Sequence, residues 1–332
     1  MGSLCRAALA AGLLTALACL RAWAGTAAFA LPEVYRQDPF LAQVLLQAVA
    51  ADFTGEGRSQ LAISGRNYER QEVFVYIVRW SGQRFMPVWR SGNLWEPASH
   101  VAIAAGDFTG SGRAQLAVLT RTRLLLFEWQ DGKMAVVHEQ AGPGAPEEIG
   151  VARHPEHPHD LLAISRQHGV EGDIPQKSIE LWGYRRGRFR PLWETPAIGR
   201  VRAVTGADVT GDGVWELLVE VGELVRPGTV QVWQWRSGRY ALLISEPLRP
   251  AVAFGLAAAG SDAGPVVVVA DNRGRSAAYR LNGGFELLGE SGSLGWGVTS
   301  AAVADFFGDG GLQAAVIGYP SRLHLLAVTG SP

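Results

Sequence analysis

One short stretch, repeated along the chain, constrains the fold more than any other feature of the sequence. In its fullest copy, at 207–219, an apolar approach ends at Asp208, a polar turn follows, and a second apolar run begins at Leu217. Three further copies begin at Asp52, Asp107 and Asp305. Neighbouring copies are separated by about 50 residues or by about twice that distance, which predicts two degenerate copies in the gaps.

Both gaps contain a stretch that fits the degenerate copy. One lies at 152–164, where His154, Glu156 and Asp160 take the third, fifth and ninth positions of the turn. The other lies at 257–269 and has lost almost every oxygen-bearing side chain. The chain therefore consists of six units, each of which buries its apolar face against its neighbours in a single domain.

Each unit has the pattern of four short strands. The third and fourth strands are joined by glycine turns typical of hairpins, at Ser81-Gly82, Asp131-Gly132, Arg186-Gly187, Ser237-Gly238 and Asn282-Gly283. Four strands in about 50 residues form a propeller blade. We therefore predict an all-β protein, a β-propeller of six four-stranded blades, with seven blades as the alternative.

The sixth unit ends before a fourth strand. A strand near 29–35 precedes the first full unit, and we expect it to complete the last blade and close the ring, which removes exposed sheet edges. Pro32 within it suits an edge position, because proline cannot donate to a ladder. A helix over 40–49 competes with a strand there, since short apolar runs are ambiguous.

The copies of Asp-Phe-Thr-Gly-x-Gly-x-x-[Gln/Glu]-Leu, best seen from Asp52 and Asp107, resemble the FG-GAP/VCBS repeats that form the blades of integrin-α-like β-propellers. The resemblance covers nearly all of the chain after residue 24. It implies a single propeller domain over 25–332. It is specific for fold and weak for function, because propellers of this kind have many activities.

The N-terminus has the pattern of a secretory signal peptide over 1–24. Arg6 precedes an apolar run over 7–20, and Ala22-Trp23-Ala24 offers a cleavage site between small residues. Both cysteines, Cys5 and Cys19, lie in this segment. An uncleaved anchor is the alternative, although the run is short for a bilayer span, and no later segment is apolar for long enough to cross one. We therefore expect a secreted or cell-surface protein.

The fourth turn has the ligand spacing of a calcium loop. Oxygen-bearing side chains occupy its first, third, fifth and ninth positions, the carbonyl of the seventh is available, and Gly213 permits the bend. The predicted metal site consists of Asp208, Thr210, Asp212, Val214 and Glu216. The alternative is a metal-free turn in which the aspartate accepts backbone N–H bonds. We favour that alternative in the other units, where for example Gln60 and Gln115 end the turn without a charge.

Histidines and tryptophans suggest two further sites. His154, His157 and His159 could bind zinc or copper, although a solvated loop is the favoured interpretation. Five tryptophans in or near third strands are expected to pack between blades, namely Trp80, Trp129, Trp182, Trp233 and Trp235. Four others in or near connecting segments could stack on sugars, namely Trp89, Trp95, Trp193 and Trp296.

The sequence contains no phosphate-binding loop, dinucleotide fingerprint or hydrolase signature. Its formal net charge of −1 shows no bias toward nucleic acid. We expect a monomeric, non-catalytic binding module for protein or glycan at the cell exterior. The alternatives are a propeller hydrolase or lyase acting on polysaccharide, and a structural factor in envelope assembly. Convergent acids and histidines in an axial funnel would favour an enzyme, and a flat face with exposed Trp and Tyr would favour binding.

Overall fold

A computed structural model describes residues 29–37, 41–42, 44–96, 101–144, 148–171, 174–222, 228–249, 253–260, 264–271, 273–294 and 297–328. The predicted signal peptide and Trp296 lie outside these ranges. Every regular element within them is a β-strand. No described segment forms a helix with the length and apolar character needed to cross a bilayer.

The strands form six antiparallel blades that follow one another along the chain. Blade 1 contains β3 (Val44–Ala51), β4 (Gln60–Asn67), β5 (Glu72–Trp80) and β6 (Phe85–Arg90). Blade 2 contains β7 (Ala102–Gly106), β8 (Gln115–Leu119), β9 (Arg123–Gln130) and β10 (Lys133–Ala141). Blade 3 contains β11 (Ile149–Ala152), β12 (Leu161–Glu171), β13 (Ile174–Arg185) and β14 (Arg188–Glu194).

The second half of the chain repeats this plan and adds the N-terminal strands. Blade 4 contains β15 (Val201–Ala207), β16 (Glu216–Val221), β17 (Thr229–Arg236) and β18 (Arg239–Glu246). Blade 5 contains β19 (Ala253–Ala259), β20 (Val266–Asp271), β21 (Ser276–Leu281), β22 (Phe285–Glu290) and, at its outer edge, β1 (Phe29–Ala30). Blade 6 contains β23 (Val298–Ala304), β24 (Gln313–Gly318), β25 (Arg322–Ala327) and β2 (Glu33–Gln37).

The first strand of each blade lies innermost, and the six first strands contact one another in a closed ring. The prediction of six blades is thus confirmed, and the alternative of seven is wrong. Both degenerate copies form complete blades, since 152–164 spans the turn from β11 to β12 and 257–269 spans the turn from β19 to β20.

The N-terminal strand closes the ring as predicted. β2 pairs antiparallel with β25, where Tyr35 faces Leu325, and supplies the missing fourth strand of blade 6. The chain also adds β1 to blade 5 as a parallel edge strand, which the sequence did not predict. Pro32 lies between the two strands, and its carbonyl accepts the N–H of Ala327 at 3.1 Å. Residues 44–51 form a strand rather than the competing helix, because they pair with β4 along their length.

The core is divided into six apolar clusters, each packed between two successive blades. As expected, the five third-strand tryptophans lie in or against these clusters. They are Trp80, Trp129, Trp182, Trp233 and Trp235. Blades 3 and 4 approach most closely where glycine lies on both inner strands. A Cβ at Gly150 would lie 2.2 Å from the carbonyl oxygen of Val204.

Antiparallel pairing gives the ring two chemically distinct faces. The turn after each first strand and the glycine turn after each third strand lie at the same end of the blade. We call that side the Asp-turn face. The turns after the second strands and the links between blades lie on the opposite side, the connector face, where Tyr68 and Tyr319 are 55% and 53% exposed.

Candidate functional site

In four of the six turns, the aspartate that begins the turn accepts bonds from the backbone of its own turn. The Oδ1 atom of Asp208 accepts the N–H groups of Gly211 and Asp212 at 2.7 and 3.1 Å, and Oδ2 accepts that of Gly213 at 2.8 Å. Gly211 and Gly213 adopt φ of 75° and 83°, which favours glycine at both positions. Asp52 and Asp305 make the same three bonds, so this cap is a property of the repeat.

The ninth position anchors the turn from below. The Oε2 atom of Glu216, which is 1% exposed, accepts the N–H groups of Val209 and Thr210 at 3.0 and 3.2 Å. Its Oε1 accepts bonds from Thr210 Oγ1 and from the amide of Gln234. In three of the other turns, an amide oxygen accepts one or both of the corresponding N–H groups, and the residues are Gln60, Gln115 and Gln313. The ninth position was predicted to be a calcium ligand. In all four aspartate-capped turns, its side chain holds the turn by accepting backbone N–H groups.

Burial raises the pKa of Glu216, and the bonds from Val209, Gln234 and Thr210 oppose that effect. Asp212 adds a second carboxylate, whose oxygens accept the N–H of Val214 at 2.8 Å and the amide of Gln234 at 2.9 Å. The three carboxylates of the turn are therefore each engaged by donors.

The predicted calcium ligands do not converge in this arrangement. Among the described residues, no three His, Cys, Asp or Glu side chains form a group that could hold a metal ion. The carboxylate of Glu216 accepts backbone N–H groups, whose partial positive charge repels a cation. To bind calcium, the carboxylates of Asp208 and Glu216 would have to give up these hydrogen bonds and contact the ion instead. Calcium binding at this turn stays a prediction.

The third turn is packed into the interface between blades 3 and 4, so the expectation of a solvated loop is wrong. His154 is 2% exposed and stacks on Trp193, with ring centroids 3.6 Å apart and an angle of 15° between planes. Burial lowers the pKa of His154 to about 4 and also lowers the pKa of His157. His154 Nδ1 accepts the N–H of Glu156, which leaves the proton of the neutral ring on Nε2. The histidines form no described metal site.

The three connector tryptophans in the described ranges do not share one surface. Trp89 and Trp95 pack against the core between blades 1 and 2, and Trp193 packs between blades 3 and 4. Arg66 lies 5.4 Å from the ring of Trp95 and 5.1 Å from that of Tyr68. Packing therefore occupies these rings, and the structure does not assemble them into a sugar-stacking platform.

A cavity of about 680 Å³ occupies the propeller axis and is lined by the first strands of all six blades, mostly through Ala, Val, Gly and Leu. The charged groups on its wall have structural partners. Arg202 pairs with Glu220 at 3.4 Å, and the carboxylate of Asp305 caps its own turn. Gln47 links three inner strands, because its amide accepts the N–H of Ile103 and donates to the carbonyl of Ile149.

A second cavity, of about 340 Å³, lies on the Asp-turn face between the third and fourth turns. Asp160 and Trp215 line both cavities, so the smaller one adjoins the mouth of the axial channel. Arg153 lies between Asp160 and Trp215. Its Nε donates to Asp160 Oδ1 at 2.5 Å, and its guanidinium carbon is 4.4 Å from the centre of the Trp215 ring. Asp160 Oδ2 also accepts the N–H of Asp107 at 2.8 Å, which ties blade 3 to blade 2.

Sequence reasoning missed Arg153 and Trp215. They lie far apart in the chain and on different blades, so no local motif joins them. A signal was nevertheless present, because each departs from its repeat. The strand pairs Ala152–Leu161 and Ala207–Glu216 place Arg153 at the position of the capping aspartates Asp52, Asp107, Asp208 and Asp305, and place His154 at the buried position of Phe53, Phe108, Val209 and Phe306. The positions expected from the sequence for His154, Glu156 and Asp160 in the third turn are therefore wrong by one residue. At the position of Trp215 the other aspartate-capped turns carry Ser59, Ala114 and Leu312.

Neither a scan against known protein-family models nor a search of curated proteins returned a match to this chain.

Proposed function

We propose that the chain is an exported, non-catalytic propeller of the FG-GAP/VCBS type that binds a protein or glycan at the cell exterior. One observation carries the non-catalytic part. The carboxylates beside the smaller cavity help to hold the fold, since Asp160 pairs with Arg153 and Asp107 accepts the N–H groups of Ser111 and Gly112. A general acid or base needs a proton that it can exchange with a substrate, and these groups are instead fixed as acceptors.

The repeat chemistry supports the family resemblance. Four turns share the same aspartate cap and the same ninth-position anchor, and each begins after the innermost strand of a blade. The result is a closed ring that presents loops on two faces around an axial channel, and such rigid scaffolds commonly carry binding residues on their loops.

A binding screen tests this function directly. The full chain, expressed with residues 1–24 and recovered after processing, is applied to a glycan array and to surface proteins from the same host. We expect saturable binding to one of them. Failure to bind either class would contradict the proposed function.

Export has its own test. The apolar segment before Ala24 implies removal of residues 1–24, so mass spectrometry of the recovered protein should show an N-terminus near Gly25. Recovery of intact Met1 on soluble protein from inside the cell would contradict export while leaving the binding function to the screen.

A further inference from the structure

Two departures from the repeat meet at one place on the Asp-turn face. Arg153 takes the place of the aspartate that caps the regular turns, and Trp215 takes the place of Ser59, Ala114 or Leu312. The other units form blades without either residue, so the blade itself does not require them, although Arg153 also pairs with the buried Asp160. Yet the guanidinium of Arg153 lies 4.4 Å from the Trp215 ring, across the boundary of blades 3 and 4.

Arg153 is held in position and keeps donors available. Its Nε bond to Asp160 and its contact with Trp215 fix the plane of the guanidinium. Its side chain is 56% exposed, whereas that of Asp160 is 8% exposed. In the described parts of the chain, the structure shows no further acceptor on this guanidinium, so its Nη groups can donate to a ligand in the smaller cavity that Arg153 lines.

The chemistry of this cavity favours an uncharged ligand rich in hydroxyl groups. Its wall combines the donors of Arg153, the carboxylates of Asp107 and Asp160, and the imidazole of His159. Arg153 already neutralises Asp160, so an anion would face the remaining carboxylate of Asp107. A sugar hydroxyl can donate to a carboxylate and accept from a guanidinium at once, and the C–H groups of a sugar ring pack against an aromatic side chain such as Trp215.

We propose that this cavity, which we call the Arg153 pocket, binds one ring of an uncharged glycan at the mouth of the axial channel. The proposal rests on the proposed binding function and narrows its partner from protein or glycan to neutral glycan. A volume of about 340 Å³ lies at the small end of the range for small-molecule sites, roughly 300–1,000 Å³, and suits a single ring. The adjoining channel mouth leaves room for the next ring.

The test compares matched variants on an array that carries neutral, uronate-containing and sulfated glycans. The affinity for the best neutral glycan is then measured by titration calorimetry. We expect Arg153→Met and Trp215→Ala each to weaken binding by about tenfold or more. Arg79→Met is the control, because Arg79 is also a partly exposed arginine in an ion pair on this face, but it lies in blade 1. Its affinity should match that of the parent.

Each alternative outcome separates this proposal from the broader function. A neutral glycan that binds Arg153→Met and Trp215→Ala as tightly as the parent would overturn the pocket and keep the binding function. Preference for uronate or sulfated glycans, lost in Arg153→Met, would overturn the neutral ligand class. Capture of a surface protein without any glycan would overturn the sugar proposal alone, and no binding at all would overturn both.

Two conservative variants guard against misfolding. Arg153→Lys keeps the charge but removes the planar fork, and Trp215→Phe keeps an aromatic ring. If the pocket is correct, Trp215→Phe retains more affinity than Trp215→Ala, and Arg153→Lys binds more weakly than the parent at an unchanged melting temperature. Parent-like affinity in both Arg153→Lys and Trp215→Ala would overturn the assignment.

Discussion

Asp208 shows how one side chain can hold a whole turn. Its carboxylate accepts three backbone N–H groups, and Asp52 does the same at 2.9, 3.1 and 2.7 Å. Removal of this acceptor leaves three donors to water in an exposed turn, so we expect Asp208→Ala and Asp52→Ala to lower the free energy of unfolding by about 1–3 kcal/mol each. Urea denaturation measures both.

The effect of calcium on stability should distinguish the turn at Asp208 from the matched turn at Asp52. If the fourth turn binds calcium, affinity in the range of extracellular modules, about 10⁻⁴ to 10⁻³ M, would raise the melting temperature of EDTA-treated protein by a few degrees at most. Asp208→Ala should abolish that rise and Asp52→Ala should keep it. No heat and no shift in a calcium titration up to about ten times that dissociation constant would show that the hydrogen-bonded turn functions alone.

Glu216 is the acidic member of a position that holds glutamine in the other three aspartate-capped turns. Its raised pKa means that the folded state favours the protonated form, so the penalty is absent below the unfolded pKa near 4.5 and develops as the pH rises through the folded pKa. We expect Glu216→Gln to be at least as stable as the parent at pH 7, with an advantage that shrinks below pH 4.5. Urea denaturation at several pH values tests this, and a large loss at pH 7 would show that the carboxylate itself is required.

His154 gives the fold an acid-sensitive point. Its pKa is about 4 in the folded chain against 6.5 for the ordinary group, so only the unfolded chain takes the proton between those values. Stability should therefore fall as the pH drops from about 6.5 to 4, by roughly 1.4 kcal/mol per unit from this group. His154→Phe, which keeps the stack on Trp193, should flatten that part of the profile. An unchanged slope in the variant would place the sensitivity elsewhere.

At the level of strands, the segment before blade 1 adds one strand to blade 5 and one strand to blade 6. β1 extends blade 5, Leu31 is buried between blades 5 and 6, and β2 completes blade 6. Deletion of residues 25–40 should lower the melting temperature by about 5 °C or more and promote aggregation, because it exposes sheet edges and an apolar cluster. Deletion of 25–28 alone is the control, since it ends before β1. An unchanged melting temperature after the longer deletion would contradict its role in ring closure.

The elements also show which parts of the structure a single sequence can predict. The third-to-fourth hairpins and the Asp turns were predicted correctly, because glycine positions and apolar runs specify them locally. β1 was missed because a two-residue strand is defined by its pairing with β22. The burial of His154 was missed because the sequence of the turn is polar and proline-rich, which is typical of a loop, whereas the rings that cover His154 come from distant strands, namely Trp193, Trp235 and Tyr240. The contact of Arg153 with Trp215 depends on how two blades pack, and neither blade encodes it alone.

At the scale of the whole molecule, ring closure determines which side chains of different blades lie together on the surface. Six inter-blade cores hold the blades, and the unusual side chains of the third and fourth units then lie together at one end of the axis. We therefore propose that this ring binds a neutral glycan on its Asp-turn face and leaves the glycan chemically unchanged.

Incubation of the full-length, processed protein with its best neutral glycan tests that claim most directly, with binding heat and glycan mass read from the same sample. We expect saturable one-site binding and a glycan that is recovered intact after prolonged incubation. Steady release of shortened or unsaturated products that scales with protein concentration would contradict the proposal and identify a polysaccharide hydrolase or lyase.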